Sequence, residues 1–282
     1  MRRLLAAIAA VVMVAGGFIV WQTRNDSESA SLNDPTTGIK TIWCVREAET
    51  ACLAANIGIV VVMTPAAIEA GVAAAGGIPA NLGADAIVAP TYWLQRWKQL
   101  VTVTVPVAQS ELVAVEKRGS ATNCNGLLIC LAMRENRFSM PNIRESSGGL
   151  LTAGLALKSA KVANPADDAD PTTAAVLDAV KKSFLNEDTA TMLRNLLTLS
   201  LLDSAVVLKA DINTLSSDQA VATPVVPNGK VTLAIGTFAN RNAVSIGATL
   251  TRSLTENGWD APVAPQNLPN DIYLNDTYKA LG

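Results

Sequence analysis

The chain has 282 residues, half of them hydrophobic, with 22 basic and 24 acidic side chains, a formal net charge of −2 and no histidine. That is enough apolar material for one large domain or two lobes, which excludes a disordered chain, and the charge balance excludes an overall basic field of the kind that gathers nucleic acid. Without histidine, the commonest general base, metal ligand and pH switch are missing together.

Residues 4–21 are an uninterrupted 18-residue run of apolar residues and glycine. The run is long enough to approach a bilayer crossing and longer than the hydrophobic stretch of a usual secretory signal. No A-x-A cleavage pattern follows it, and no cysteine sits where lipidation needs one. Arg2 and Arg3 precede the run, whereas Arg24 behind it is offset by Asp26 and Glu28, so the positive-inside rule keeps the N-terminus in the cytoplasm. The expectation is a single-pass signal anchor over residues 1–24 in the inner (cytoplasmic) membrane, with the remainder periplasmic or extracellular. A cleaved signal peptide would lead to the same compartment. Residues 25–38, rich in Ser, Asn, Asp and Thr, read as a linker.

From residue 39, short β-like runs alternate with helix-like runs, the pattern of an α/β fold with mainly parallel strands. IKTIWCV (39–45), IGIVVVM (57–63) and ADAIVAP (84–90) are strands; the second is almost wholly apolar, as a strand covered on both faces should be. Thr64 and Pro65 cap the helix of residues 65–75, which Gly76 and Gly77 stop, and Thr91 caps a helix whose apolar face is Trp93, Leu94, Trp97 and Leu100. Two strands, VTVTVPV (101–107) and ELVAVEK (111–117), flank residues 108–110, and a helix covers residues 124–135. Asp170 or Thr172 caps AAVLDAVKKSF, a further helix starts near Asp188, and residues 203–210 are a strand. Asn228-Gly229 between VATPVV and KVTLAIG predicts a tight hairpin. Residues 243–257 are helical and end at Gly258.

The four cysteines fall in two close pairs, Cys44 with Cys52 and Cys124 with Cys130. Neither spacing is C-x-x-C, and a structural zinc would need all four thiolates together, so no metal site is expected. Outside the cytoplasm local disulfides are the better reading, with buried apolar thiols the alternative; four cysteines permit three pairings.

Residues 144–149, RESSGG, stand directly before the apolar run LLTAGLAL. Ser is a good N-cap, and Gly relaxes the turn that leads in. The same residues at a helix N-terminus also form a receptor for an anion or polar oxygen.

The order of these pieces resembles bacterial extracellular solute-binding proteins of the type II periplasmic-binding fold. The resemblance is to the branch near the molybdate and sulfate binders and to the solute-binding-like domains found with von Willebrand factor A modules. It covers about residues 38–260. GADAIVAPTYWL is similar to that family's Asp-Val-Trp-Val-Pro strand leading into a Ser-Ser-x-Trp helix start, and VPVAQSELVAV to its proline-containing strand before Ser-Pro-Val-Val-Leu-Ala. MPNIRESSGGLL resembles the Gly-x-Pro-Asp-Pro-x-x-Ser-x-x-Gly-Leu motif that opens a helix at the inter-lobe cleft. LLDSAVVL, VVPNGK and LTENGWDAP are similar to three later motifs. Asn142 and Ile143 replace the Asp-Pro, Val226 replaces a Tyr, and Arg46 and Glu47 stand where oxyanion binders place a small hydroxyl residue.

The resemblance implies a two-lobed α/β body after the anchor, with residues 39–110 and 228–282 as lobe 1 and residues 111–227 as lobe 2. It implies a cleft in which Ser146, Ser147 and Gly148 face Thr91, with Asp203, Ser204 and Arg144 on the rim. The implied function is binding of a small polar solute or oxyanion without a cofactor, with a membrane protein as a further partner. The alternative is a non-transport module, a sensor or assembly component of a membrane complex. No G-x-S-x-G, P-loop or catalytic carboxylate pair motivates an enzyme.

Overall fold

The computed structural model describes residues 39–119, 138–146, 148–167, 169–185, 189–213, 219–224, 230–238, 243–263 and 271–281. The expected anchor, linker and helix of residues 124–135 lie outside the described residues, as do Cys124, Cys130, Ser147 and Asn228-Gly229. Among the described residues no helix is long and apolar enough to cross a membrane.

β1 (Thr41–Val45) lies between β2 (Ile59–Met63) and β3 (Ala86–Pro90), parallel to both. β3 is buried along its whole length. A 3-10 turn (Arg46–Ala48) leads from β1 into α1 (Glu49–Ala54). At the start of α2 (Pro65–Ala74), Thr64 Oγ1 accepts the Ala67 N–H at 3.3 Å, as its N-cap position requires. Thr91 does not cap; it is the first residue of α3 (Thr91–Arg96), and Pro90 holds the cap position without a side-chain bond.

Residues Val101–Lys117 form one 17-residue strand, β4, where the sequence pattern predicts two. Pro106 has no N–H for the ladder, and a register shift between Pro106 and Ala108 absorbs it. Buried Gln109 and Ser110 then keep pairing with Thr232 and Val231. β4 pairs with β9 (Lys230–Phe238) as far as Glu111. From Leu112 it pairs with β7 (Ser204–Leu208), and from Val113 with β8 (Ala220–Pro224) as well. The predicted hairpin is therefore corrected: β8 and β9 both run antiparallel to β4, one after the other along it, and pair with β4 instead of with each other.

The strand order is β2-β1-β3-β9-β4-β7-β5-β6, with β5 (Phe138–Pro141) and β6 (Phe184–Leu185) at the far edge and β8 on β4. Pairing is parallel at both ends of the curled sheet and antiparallel around β4 and β9. The sheet is thus mixed, not mainly parallel, because β4 leads out of the first half and β8 with β9 leads back.

α4 (Gly149–Ser159) is buried from Gly149 to Leu157. Asp170 caps α5 (Pro171–Lys182), accepting the Thr173 N–H at 2.8 Å and its hydroxyl at 2.7 Å, and these bonds hold its carboxyl below the usual range. α6 (Thr189–Leu197) packs on β7 and β4 through Met192, Leu196, Val207 and Val115. Gly258, at φ +89°, closes the turn after α7 (Val244–Glu256), as a positive φ favours. One apolar cluster runs through Ile42, Val88, Leu151, Val206, Leu233 and Leu254, joining both halves of the sheet.

The last helix, α8 (Asp271–Leu281), packs against α3, α4 and α5. Arg96 fixes it there: its guanidinium pairs with Glu69 at 3.0 Å, donates to Asn275 Oδ1 at 2.7 Å and lies 3.9 Å from the centre of the Tyr278 ring. The Tyr278 hydroxyl donates to Glu69; burial, followed by the Glu69 carboxylate, pushes its pKa up to about 12, so it stays a donor at all ordinary pH. Arg96→Ala should cost about 2 kcal/mol, read from a urea midpoint, and Arg96→Lys should recover less than half, because an ammonium cannot both fork and stack.

Cys44 in β1 and Cys52 in α1 form a disulfide closing a short loop. Chain-entropy loss for a loop of that length is about 2.5 kcal/mol. The Cys44→Ala/Cys52→Ala double variant should therefore unfold roughly 5 to 10 °C lower in a thermal scan.

Candidate ligand-binding site

Three strands release their chains toward one cavity. After β1 come Arg46, Glu47, Glu49 and Thr50; β5 ends at Pro141 and is followed by Glu145 and Ser146; β7 is followed by the 3-10 turn Lys209–Ile212, which carries Asp211. Thr189, Ala190 and Met192 at the start of α6 complete the wall, and the cavity measures about 270 Å³. Carboxyl ends of strands in an open α/β sheet are where ligands bind, because loops and helix N-termini converge there.

Ser146, nearly buried, reaches across the cavity and donates its hydroxyl proton to Glu47. The same oxygen accepts the Gly148 N–H at 3.2 Å, and the Ser146 carbonyl accepts the Gly149 N–H at 3.2 Å. The Gly149 N–H that opens α4 and the Gly148 N–H before it are thus taken by Ser146 of the approach segment. At α2 the Ala66 N–H likewise goes to the Arg144 carbonyl at 3.1 Å.

Asp211 is the most perturbed group in this wall. Its Oδ2 is shielded from solvent and accepts no hydrogen bond. Burial, then the Glu47 charge, raise its pKa from 3.8 to about 8 against an opposing bond from the Leu208 backbone. Behind the wall, burial and the Glu47 carboxylate also push the Tyr92 hydroxyl well above its ordinary value.

Among solved structures, the chain is similar to iron-bound HitA from Pseudomonas aeruginosa, with a TM-score of 0.57 and 9% identity over 86% of this chain and 96% of that one. It is similar to a periplasmic thiamin binding protein, with a TM-score of 0.54 and 11% identity over 86% and 96% of the two chains. Apo FutA2 from Synechocystis PCC6803 aligns with a TM-score of 0.53 and 13% identity over 86% and 97%. The fold is that of type II periplasmic solute-binding proteins. No protein-family model matches the chain, and no curated protein matches it in sequence.

Within this solute-binding fold the structure distributes the sequence-predicted residues unevenly. Ser146 lines the cavity and Gly148 lies buried beside it. Thr91 begins α3, half-buried and outside the cavity wall, and Arg144 is exposed with its carbonyl on α2. Asp203 and buried Ser204 lie at the start of β7, the opposite end from the cavity. The sequence reading missed Asp211, Glu145 and Met192. The usable signal was strand polarity, since it is the carboxyl end of β7 that faces the site.

Proposed function

We propose that this chain is an extracytoplasmic solute-binding protein, tethered to the inner membrane by residues 1–24. Its two lobes, residues 39–110 with 228–282 and residues 111–227, close on a small solute. The observation that carries the reading is the cavity itself, walled by Glu47 from one half of the sheet and by Ser146 and Asp211 from the other. β4 and β8–β9 are the only described strands linking the halves, and they supply a hinge at Glu111 and Leu112. The likeness in fold to HitA, the thiamin binder and FutA2 supports binding over catalysis. The Cys44–Cys52 disulfide supports an oxidising compartment. Full-length protein in detergent, screened against small metabolites and ions, should show a ligand-dependent rise in melting temperature; a broad screen without any shift contradicts the reading.

One observation favours a second reading, a sensor or assembly module of a membrane complex. The Ser146–Glu47 bond already joins the cavity walls, and the Gly148 and Gly149 N–H groups at the start of α4 are satisfied by Ser146. A stable complex recovered from detergent without added solute would favour this module, and a lone protein that binds solute would favour the receptor.

A further inference from the structure

We infer that α8 is a strap that keeps the two halves of the body together, so that its release, together with the hinge in β4, governs opening of the cavity between them; this rests on the two-lobed reading above and supplies its regulation. By chain order α8 belongs to the first half, yet it packs on α3 of that half and on α4 and α5 of the second. The 3.6-residue period sends its side chains both ways. Asn275 and Tyr278 project from one side and hold the Arg96 guanidinium of the first half, while the Tyr278 hydroxyl donates to Glu69 of α2. The Trp93 and Tyr278 rings meet edge-to-face there, their centres 5.4 Å apart. Tyr273, Ala280 and Leu281 project from the other side and pack on Leu157, Val162 and Leu177 of the second half, with the Tyr273 hydroxyl donating to the Val162 carbonyl at 2.8 Å.

The junction that α8 secures carries its own reporter. The Ala66 N–H of the first half donates to the Arg144 carbonyl of the second at 3.1 Å. Ala66 lies in the first turn of α2, where a backbone N–H has no partner within the helix, so its protection depends on the second half staying in place. Glu69, which accepts the Tyr278 hydroxyl, stands one turn further along the same helix, so the strap grips the element that carries this bond. A strap has two ends in series. Opening requires only the weaker end to let go, whereas unfolding breaks both.

The test is residue-resolved hydrogen exchange of full-length protein in detergent, without solute, comparing the Ala66 amide with the amide of Val206, buried in β7. Tyr278→Ala loosens the face of α8 toward the first half, and Tyr273→Ala the face toward the second. At Ala66 the faster single variant should gain about 10-fold, and the double variant should exceed it by no more than about 2-fold, because release of one face suffices. At Val206, which exchanges through unfolding, the two effects should multiply. Multiplication at Ala66 as well, or no acceleration there in either variant, overturns the strap. If an alanine variant does not fold, Tyr273→Phe and Asn275→Ala each remove one hydrogen bond and give the same comparison at roughly several-fold size. The readout needs no solute, so the two readings fail separately. The expected exchange pattern beside a metabolite screen without any shift keeps the strap and removes solute binding; a solute that binds beside multiplied effects at Ala66 removes the strap alone.

Discussion

Asp211→Asn should make the ligand-free protein more stable at pH 8 and flatten its stability between pH 4 and 8. The sign follows from where the proton sits. In the native state Asp211 holds its proton up to about pH 8, whereas in the unfolded chain it releases it near 3.8. Between those values the native state binds more protons than the unfolded one, so stability falls as pH rises and levels off above the native pKa. At about 1.4 kcal/mol per unit, the loss across the window is on the order of 3 to 5 kcal/mol. Asparagine keeps the shape and removes the titration. Urea midpoints at pH 5 and pH 8 check this: the wild type should weaken on going up, and the variant should change little. A wild-type protein equally stable at both values would contradict the burial of this carboxyl.

Gly149→Ala should be a strongly damaging small substitution. A Cβ there would lie 2.7 Å from the Pro141 carbonyl oxygen and 2.8 Å from the carbonyl carbon and oxygen of Asn142. These are main-chain atoms of the turn that leaves β5, so no side chain can swing aside. The helix or the turn must shift, and α4 is buried from Gly149 to Leu157. The expected cost is about 3 kcal/mol, or roughly 6 to 12 °C in melting temperature for a body of this size. Gly148→Ala is the control: its φ is −76°, and its Cβ would meet Leu112, Ser146 and Leu208 only at ordinary contact distances of 3.8 to 4.0 Å. That variant should stay within about 1 kcal/mol of wild type. Equal effects at the two glycines would contradict the close approach of α4 to the β5 turn.

The elements best predicted were those whose signals are local and unopposed. Thr64 caps α2, Asp170 caps α5, and the apolar runs at residues 57–63 and 84–90 contain β2 and β3. Local signals failed where the long strand β4 imposed partners. Residues Gln109 and Ser110 look like a break in the sequence, yet pairing with Thr232 and Val231 keeps them extended. Asn228-Gly229 looks like a hairpin, yet the strands on either side each find β4. The site was legible in part. Ser146 stood out because the motif around it opens a helix, and Arg46 and Glu47 because they replace small hydroxyls. Asp211 had no local mark: a lone aspartate in LKADI reads as a surface residue, and only the tertiary structure brings it to one cavity with Glu47 and α6 and leaves its Oδ2 shielded from solvent. Its chemistry belongs to the tertiary structure.

The central claim, a solute held where β1, β5 and β7 deliver their chains, is tested most directly by electron density in crystals of the protein purified from its native cells. The account predicts a small molecule in contact with Glu47, Ser146 and Asp211. A cavity closed by side chains, or a ligand bound away from these three residues, would contradict it.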